Sequence, residues 1–139
     1  MAVQEGKHVL IVDDDATNLS LANDVLESSG YSTHPTLDPL FGLQAIQANL
    51  DRGTTIDLVL SDYEMPGING VELSRRMAQT PAYKNIPVIL YSGRTQEEIT
   101  QREGGVLPEN IQHFIHKPYN IQDLVDAVRS TIESHPVPR

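Results

Sequence analysis

The sequence predicts an α/β domain in which five helices cover a doubly wound parallel sheet of five strands. Three observations predict this fold class. Short, almost continuous apolar runs recur along the chain, as in strands that are covered on both faces. Segments with apolar residues at helical spacing separate these runs. Alternating strands and helices, joined by right-handed crossovers, form a parallel sheet with helices on both sides.

Five segments have the composition of strands and are bounded by turn residues. They are His8–Val12, residues 31–36, residues 56–62, residues 86–91 and Ile111–His116. The second segment is weaker than the others, because Pro35 cannot donate a ladder hydrogen bond and therefore belongs at a sheet edge.

Each predicted strand is followed by a predicted helix that begins at a capping side chain. The caps, in chain order, are Asp15, Asp38, Asn69, Thr95 and Asn120. The inward-facing apolar residues, helix by helix, are Leu19, Ala22 and Leu26; Leu43, Ile46 and Leu50; Leu73 and Met77; Ile99; and Ile121, Leu124, Val125, Val128 and Ile132. The fourth helix has so little apolar area that we expect it to be weakly anchored.

Length and composition favour one domain over residues 1–139, with a core of about 7–133 and a short tail at 134–139. The net charge of −9 argues against nucleic-acid binding by this domain alone, because phosphate contacts need clustered Lys and Arg. No stretch resembles a membrane span or a signal peptide, so we expect a cytoplasmic protein. The absence of Cys excludes thiol chemistry.

Polar side chains follow four of the predicted strands. They are Asp13 and Asp14, Asp62, Ser92 and Lys117. Because the carboxyl ends of parallel strands meet at one edge of a sheet, we expect these side chains to lie together. Three carboxylates at one edge repel unless a cation or the Lys offsets them, and oxygen ligands without Cys or a His cluster suit Mg²⁺. The sequence therefore predicts a magnesium site centred on Asp62.

The five His residues are not expected to form a metal site. His8, His34 and His135 are far apart in sequence, and His113 and His116 should point to opposite faces of one strand.

The chain resembles the receiver domain of two-component response regulators over essentially its whole length. The resemblance rests on Val12-Asp13-Asp14, on the segment DYEMPGING at residues 62–70, on Ser92 after IPVILY, and on Lys117-Pro118. It implies a flavodoxin-like sheet with strand order 2-1-3-4-5. It also implies a phosphorylation-dependent signalling switch that catalyses its own phosphorylation and dephosphorylation and is not a metabolic enzyme.

The resemblance also assigns roles to individual residues. Asp62 is implied to accept a phosphoryl group from a histidine kinase or a histidine phosphotransfer protein. The implied Mg²⁺ ligands are Asp13, Asp14, Asp62 and the backbone carbonyl of Glu64. Lys117 is expected to pair with the phosphoryl oxygens and to precede a cis peptide bond to Pro118. Ser92 and Phe114 are implied to act as the switch residues. Output is expected through a protein target at the face of the fourth helix, the fifth strand and the last helix.

Three residues set this chain apart from the usual family pattern. Phe114 replaces the frequent Tyr and lacks its hydroxyl. Glu64 and Arg94 occupy positions that tune phosphoryl lifetime in the family, and they could pair across the pocket mouth to restrict water or small phosphodonors. Two solvated charges are the alternative interpretation of that pair.

Two other functions fit parts of the sequence. The segment HVLIVDDDAT is similar to the first motif of haloacid-dehalogenase-type phosphatases, with Asp13 as nucleophile and Asp15 as general acid. That interpretation gives Asp62 no role, and the later acidic pair is missing, because only Asp123 and Asp126 follow, inside a helix pattern. A receiver-like module that binds partners without phosphorylation is the second alternative.

Overall fold

The structure, a computed structural model, describes residues 6–138 and contains five strands and five helices in alternation. The elements are β1 (His8–Val12), α1 (Ala16–Ser28), β2 (Ser32–Thr36), α2 (Pro39–Asp51), β3 (Leu58–Asp62), α3 (Gly70–Ala78), β4 (Val88–Ser92), α4 (Gln96–Arg102), β5 (Ile111–His116) and α5 (Ile121–Ser134). All strand pairs are parallel, in the order β2-β1-β3-β4-β5. The predicted fold class and strand order are confirmed.

The ends of the predicted domain lie partly outside the described residues. Residues 1–5 and residue 139 are not described. Within the predicted tail, α5 continues to Ser134, and Val137 packs against the core. No helix among residues 6–138 is both long enough and apolar enough to cross a membrane.

Three predicted strands were wrong at their boundaries, and β2 begins at Ser32, one residue later than predicted. Leu58, not Ile56, begins β3, because the pairing of β3 with β1 starts at the partners Val9 and Leu58. The fourth strand begins at Val88, two residues later than predicted. Pro87 has no N–H to donate, and the first backbone N–H of the strand that donates is that of Val88, to Asn110 O. Ser92 lies inside β4, not after it, because it still pairs with His116 of β5.

The hydrophobic core forms one layer on each face of the sheet. The layer beneath α1 and α5 contains Ile11, Leu60, Tyr91 and Leu124, among others. The layer on the opposite face contains side chains of α2, α3 and α4, including Ile99. Ile99 is the one buried residue of α4, as its sequence predicts. The prediction for Ile121 was wrong: it is the first residue of α5 and is 54% exposed, and burial begins one turn later at Leu124.

The carboxyl ends of the strands meet at one edge of the sheet, where backbone hydrogen bonds continue beyond the strands. Asp13 N donates to Thr36 O over 3.1 Å, and Lys117 N donates to Ser92 O over 2.7 Å. The Lys117–Pro118 peptide bond is cis, as the sequence resemblance implies. The loops that carry the candidate residues are thereby held directly against the ends of the strands.

Candidate functional site

Asp62 is the last residue of β3 and is 9% exposed. Its Oδ1 accepts a hydrogen bond from Tyr63 N over 2.8 Å and lies 3.3 Å from Lys117 Nζ. Burial raises the pKa of the Asp62 carboxyl, and the nearby charge of Asp13 adds to this rise, while Lys117 opposes it. Asp62 is thus a confined carboxylate held by one amide and one ammonium.

Asp13 lies beside Asp62 and is fully buried. Its Oδ1 accepts from Asp15 N over 2.8 Å, and its Oδ2 accepts from the Tyr91 hydroxyl over 2.6 Å. Lys117 Nζ is 3.5 Å from the same Oδ2 and so bridges the two carboxylates. A buried charge requires partners of this kind, and Asp13 has three.

The carboxylates of Asp13, Asp14 and Asp62 form one cluster, in which a ligand oxygen from each residue lies within 4.8 Å of the others. Among residues 6–138, this is the one group of three or more acidic, His or Cys side chains with the spacing of a metal site. Lys117 is the one basic side chain in that part of the chain that pairs with the cluster, so a single positive charge faces three carboxylates. The donor set of oxygen atoms and the residual negative charge fit a hard divalent cation such as Mg²⁺. The participation of the Glu64 carbonyl stays a prediction.

Ser92 and Phe114 line the same cavity, which lies between β4, α4 and β5 and has a volume of about 250 Å³. Ser92 is buried, and its Oγ accepts a hydrogen bond from Arg94 N over 3.0 Å. Phe114 is half-buried and packs against the core on this face. The switch roles of Ser92 and Phe114 stay a prediction.

Glu64 and Arg94 form an ion pair between the β3–α3 and β4–α4 loops. The Arg94 side chain also lies 3.6 Å from Glu98, measured from Nη1 to Oε2. Both loops emerge at the edge that carries Asp62. The pairing that the sequence suggested is therefore present, and its effect on phosphoryl lifetime stays a prediction.

Two tyrosines contribute contacts that sequence reasoning missed. Tyr91 donates to Asp13, and Tyr63 donates from its hydroxyl to Glu103 Oε2. A signal was available for Tyr91, because a tyrosine inside a buried aliphatic strand needs a hydrogen-bond partner for its hydroxyl. His8 and His34, although distant in sequence, stack on each other with Nδ1 and Nε2 3.0 Å apart. They lie outside the acidic cluster.

The fold and the site together define a flavodoxin-like α/β protein with an acidic, lysine-bridged pocket at the carboxyl edge of its sheet. Residues 9–129 match the family described as the response regulator receiver domain, and the chain belongs to that family. Receiver domains of two-component signalling interact with histidine kinases and phosphotransfer proteins.

The similarity extends to individual proteins. The chain is 30% identical over 126 residues to the polar-differentiation response regulator DivK of Brucella anthropi, covering 89% of this chain and 94% of DivK. It is 32% identical over 117 residues to the putative two-component response regulator ARR21 of Arabidopsis thaliana, covering 84% of this chain but only 18% of ARR21. The crystal structure of a putative response regulator from Chloroflexus aurantiacus superposes with a TM-score of 0.76 at 29% identity, covering 91% of this chain and 98% of that one.

Proposed function

We propose that this receiver domain is a phosphorylation-dependent switch in which Asp62 accepts the phosphoryl group. The donor is a histidine kinase or a histidine phosphotransfer protein, and the output is a protein contact at the face formed by α4, β5 and α5. The observation that carries the proposal is the position of Asp62 at the end of β3, 3.3 Å from Lys117 and within the acidic cluster.

The transfer step uses the Asp62 carboxylate as nucleophile. One of its oxygens forms a bond to phosphorus while the bond between phosphorus and the donor nitrogen breaks, and the donor imidazole keeps the electron pair and takes up a proton. Lys117 Nζ, already 3.3 Å from Asp62 Oδ1, is placed to pair with the phosphoryl oxygens. Water later attacks phosphorus, the bond from phosphorus to the Asp62 oxygen breaks, and inorganic phosphate leaves while the carboxylate is restored.

Asp13, Asp14 and Asp62 would hold Mg²⁺, with the Glu64 carbonyl as a further ligand. When bound, the metal supplies positive charge that stabilises the oxygens of the phosphoryl group. The protein residues orient the acceptor and hold the pocket. Asp13 is fixed from two sides by Asp15 N and by the Tyr91 hydroxyl.

The signal would leave the site through Ser92 and Phe114. A phosphoryl group adds about two negative charges and strong acceptor oxygens, which attract the Ser92 hydroxyl. If Ser92 turns toward them, it vacates part of the cavity that it shares with Phe114. Phe114 then occupies this space, and the equilibrium between two arrangements of the α4, β5 and α5 face shifts.

The phosphatase alternative is not favoured. Asp13 is fully buried, and both of its oxygens already accept hydrogen bonds, which suits a fixed ligand better than a nucleophile. Asp15 caps α1 by accepting from Asn18 N. Asp126 is paired with Arg129 at 2.8 Å on α5. The non-phosphorylated alternative gives no role to an acidic cluster that is bridged by a Lys.

The proposal is tested by intact-mass measurement after incubation with acetyl phosphate or phosphoramidate and Mg²⁺. Wild type should gain one phosphoryl adduct, and the adduct should disappear without Mg²⁺ and in Asp62→Asn. Asp13→Asn should slow formation of the adduct, which should still form on Asp62. If Asp62→Asn is still labelled and Asp13→Asn is not, the nucleophile is Asp13 and not Asp62. The absence of any adduct, together with no binding of beryllofluoride, would reject phosphorylation.

A further inference from the structure

The Tyr91 side chain contacts Asp13, a member of the acidic cluster, and Lys117, which bridges the cluster. It is fully buried, and its hydroxyl donates to Asp13 Oδ2 over 2.6 Å. Lys117 Nζ lies 4.4 Å from the centroid of the Tyr91 ring. The rest of the environment is apolar core, in which Tyr119 packs edge-on at 6.2 Å between ring centroids. A single side chain thus offers a hydrogen-bond donor to one carboxylate and an aromatic face to the ammonium.

Lys117 forms ion pairs with two carboxylates in the unphosphorylated protein. Its Nζ is 3.3 Å from Asp62 Oδ1 and 3.5 Å from Asp13 Oδ2. If the ammonium moves toward a phosphoryl group on Asp62, Asp13 loses its contact with Lys117, and its buried carboxylate then depends on its hydrogen-bond donors and on the proposed metal. A buried charge that loses a partner is costly unless other donors stay in place. The donors that stay are Asp15 N, on Oδ1, and the Tyr91 hydroxyl, on Oδ2.

We propose that Tyr91 is a positioning residue that holds the Asp13 carboxylate in its ligand orientation and allows Lys117 to leave it for the phosphoryl group. This inference rests on the proposed function of Asp62. Tyr91 is the register partner of Asp62 in the β3–β4 pair, but its side-chain contacts go to Asp13 and Lys117, through which it would act. Its hydroxyl is a neutral donor that remains bonded to Asp13 when the ammonium moves.

The Tyr91→Phe variant separates the two contacts of this side chain. It removes the donor to Asp13 and keeps the aromatic face beneath Lys117. Asp13 Oδ2 is then left with Lys117 as its partner, so Asp13 is less well oriented and Lys117 is held more tightly. Loss of a partner that orients a metal ligand typically lowers metal affinity or activity by about tenfold or more. We expect a decrease of about tenfold both in divalent-metal affinity and in the rate of Asp62 phosphorylation.

Tyr119→Phe is the matched control, because it removes a second tyrosine hydroxyl at this end of the core without touching the Tyr91–Asp13 bond. Three proteins are compared: wild type, Tyr91→Phe and Tyr119→Phe. Metal affinity is measured on the unphosphorylated proteins by titrating Mn²⁺ and following the free ion by electron paramagnetic resonance. Phosphorylation by phosphoramidate is then followed by intact mass at saturating Mg²⁺.

A loss of Mn²⁺ affinity and of phosphorylation rate in Tyr91→Phe alone supports the inference. Equal behaviour of the two variants in both measurements overturns it. Failure of the wild type both to become phosphorylated and to bind beryllofluoride overturns the proposed function instead. If Tyr91→Phe does not fold, the wild type is labelled with ¹³C at the tyrosine Cζ. Mg²⁺ should then shift the Tyr91 signal more than the Tyr119 signal, and equal shifts overturn the inference.

Discussion

The hydroxyl of Tyr63 donates to Glu103 Oε2 over 2.6 Å and joins the residue after Asp62 to the C-cap residue that follows α4. Asn69 Nδ2 donates to the same oxygen over 3.1 Å, and Arg75 lies 3.9 Å from the other carboxylate oxygen. The Arg102 guanidinium lies 6.0 Å from the Tyr63 ring centroid. A helix with a single buried apolar side chain is therefore held at its end by a polar network that begins next to Asp62.

Removing Glu103 should loosen α4 more than the rest of the protein. Glu103→Ala leaves the Tyr63 hydroxyl and the Asn69 amide without their acceptor, which costs about 1–3 kcal/mol of unfolding free energy. Amide hydrogen exchange in α4 should accelerate, and urea denaturation should give the global cost. Gln101→Ala, at an exposed position of the same helix, should change little. Unchanged exchange of α4 in Glu103→Ala would contradict the role of this network.

The layout of the site was predictable, whereas its supporting contacts were not. Strand ends and parallel topology suffice to bring Asp13, Asp62 and Lys117 to one edge, because the carboxyl ends of parallel strands converge. The Tyr63–Glu103 bond spans 40 residues, so no local spacing indicates it. Contacts of this kind depend on the lengths of loops and the rotamers of side chains. The stacking of His8 and His34 was missed for the same reason, since sequence separation was taken as separation in space.

Gly70 is a further constraint that the sequence does not reveal. A Cβ at this position would lie 2.5 Å from the backbone oxygen of Asp62 and 2.8 Å from Leu90 Cδ2. Gly70→Ala should therefore force α3 away from the end of β3 at a cost of about 1–3 kcal/mol, as measured by urea denaturation. Gly93→Ala is the control, because Gly93 has open space around its Cα and a φ outside the left-handed region. Equal free energies of unfolding for the two variants would show that α3 can shift away from β3 without loss of stability.

The Arg94–Glu64 pair should affect access to the pocket more than stability. Exposed ion pairs contribute at most about 1 kcal/mol, and both side chains are partly exposed. Arg94→Ala removes the ion pair at the pocket entrance, so acetyl phosphate should label the variant faster. The lifetime of the phosphorylated variant should be shortened by about twofold or more, as measured by the decay of the adduct in intact-mass spectra. Arg129→Ala removes an exposed pair with Asp126 on α5 and should change neither rate. No difference between these variants would identify Arg94 and Glu64 as solvated charges.

Ser92→Ala should separate phosphorylation from the response of the output face. The carboxylate cluster and Lys117 remain intact, so the adduct on Asp62 should still form. The variant has no hydroxyl at position 92 to turn toward the phosphoryl oxygens. The movement of Phe114 into the shared cavity should therefore be less favoured. Beryllofluoride should then cause smaller ¹⁵N amide shifts in α4, β5 and α5 than in the wild type. Ser20→Ala, at an exposed position of α1, is the control, and full-sized shifts in Ser92→Ala would refute the coupling.

The stability of the sheet edge should depend on pH through His34. Burial lowers the pKa of the His34 imidazole from its usual 6.5, and the neighbouring His8 and Arg52 lower it further. Because folding favours the neutral form, the unfolded chain binds more protons in the window just below pH 6.5, and stability falls as pH decreases through that window. The contribution is complete above pH 6.5 and is lost as pH falls through the lowered pKa. Asp57 also belongs to this region, since its Oδ2 accepts from His8 N over 2.8 Å.

Urea midpoints measured from about pH 8 to about pH 5 test this dependence. The wild-type midpoint should fall toward the acidic end, and His34→Gln should flatten the fall, because glutamine does not titrate. His113→Gln makes the same chemical change at an exposed position of β5 and should keep the wild-type slope. Since His34 lies on β2 and its partner His8 on β1, the acid-induced loss should appear first as faster amide exchange in the β1–β2 pair. Parallel pH profiles for wild type and His34→Gln would assign the acid sensitivity to other groups.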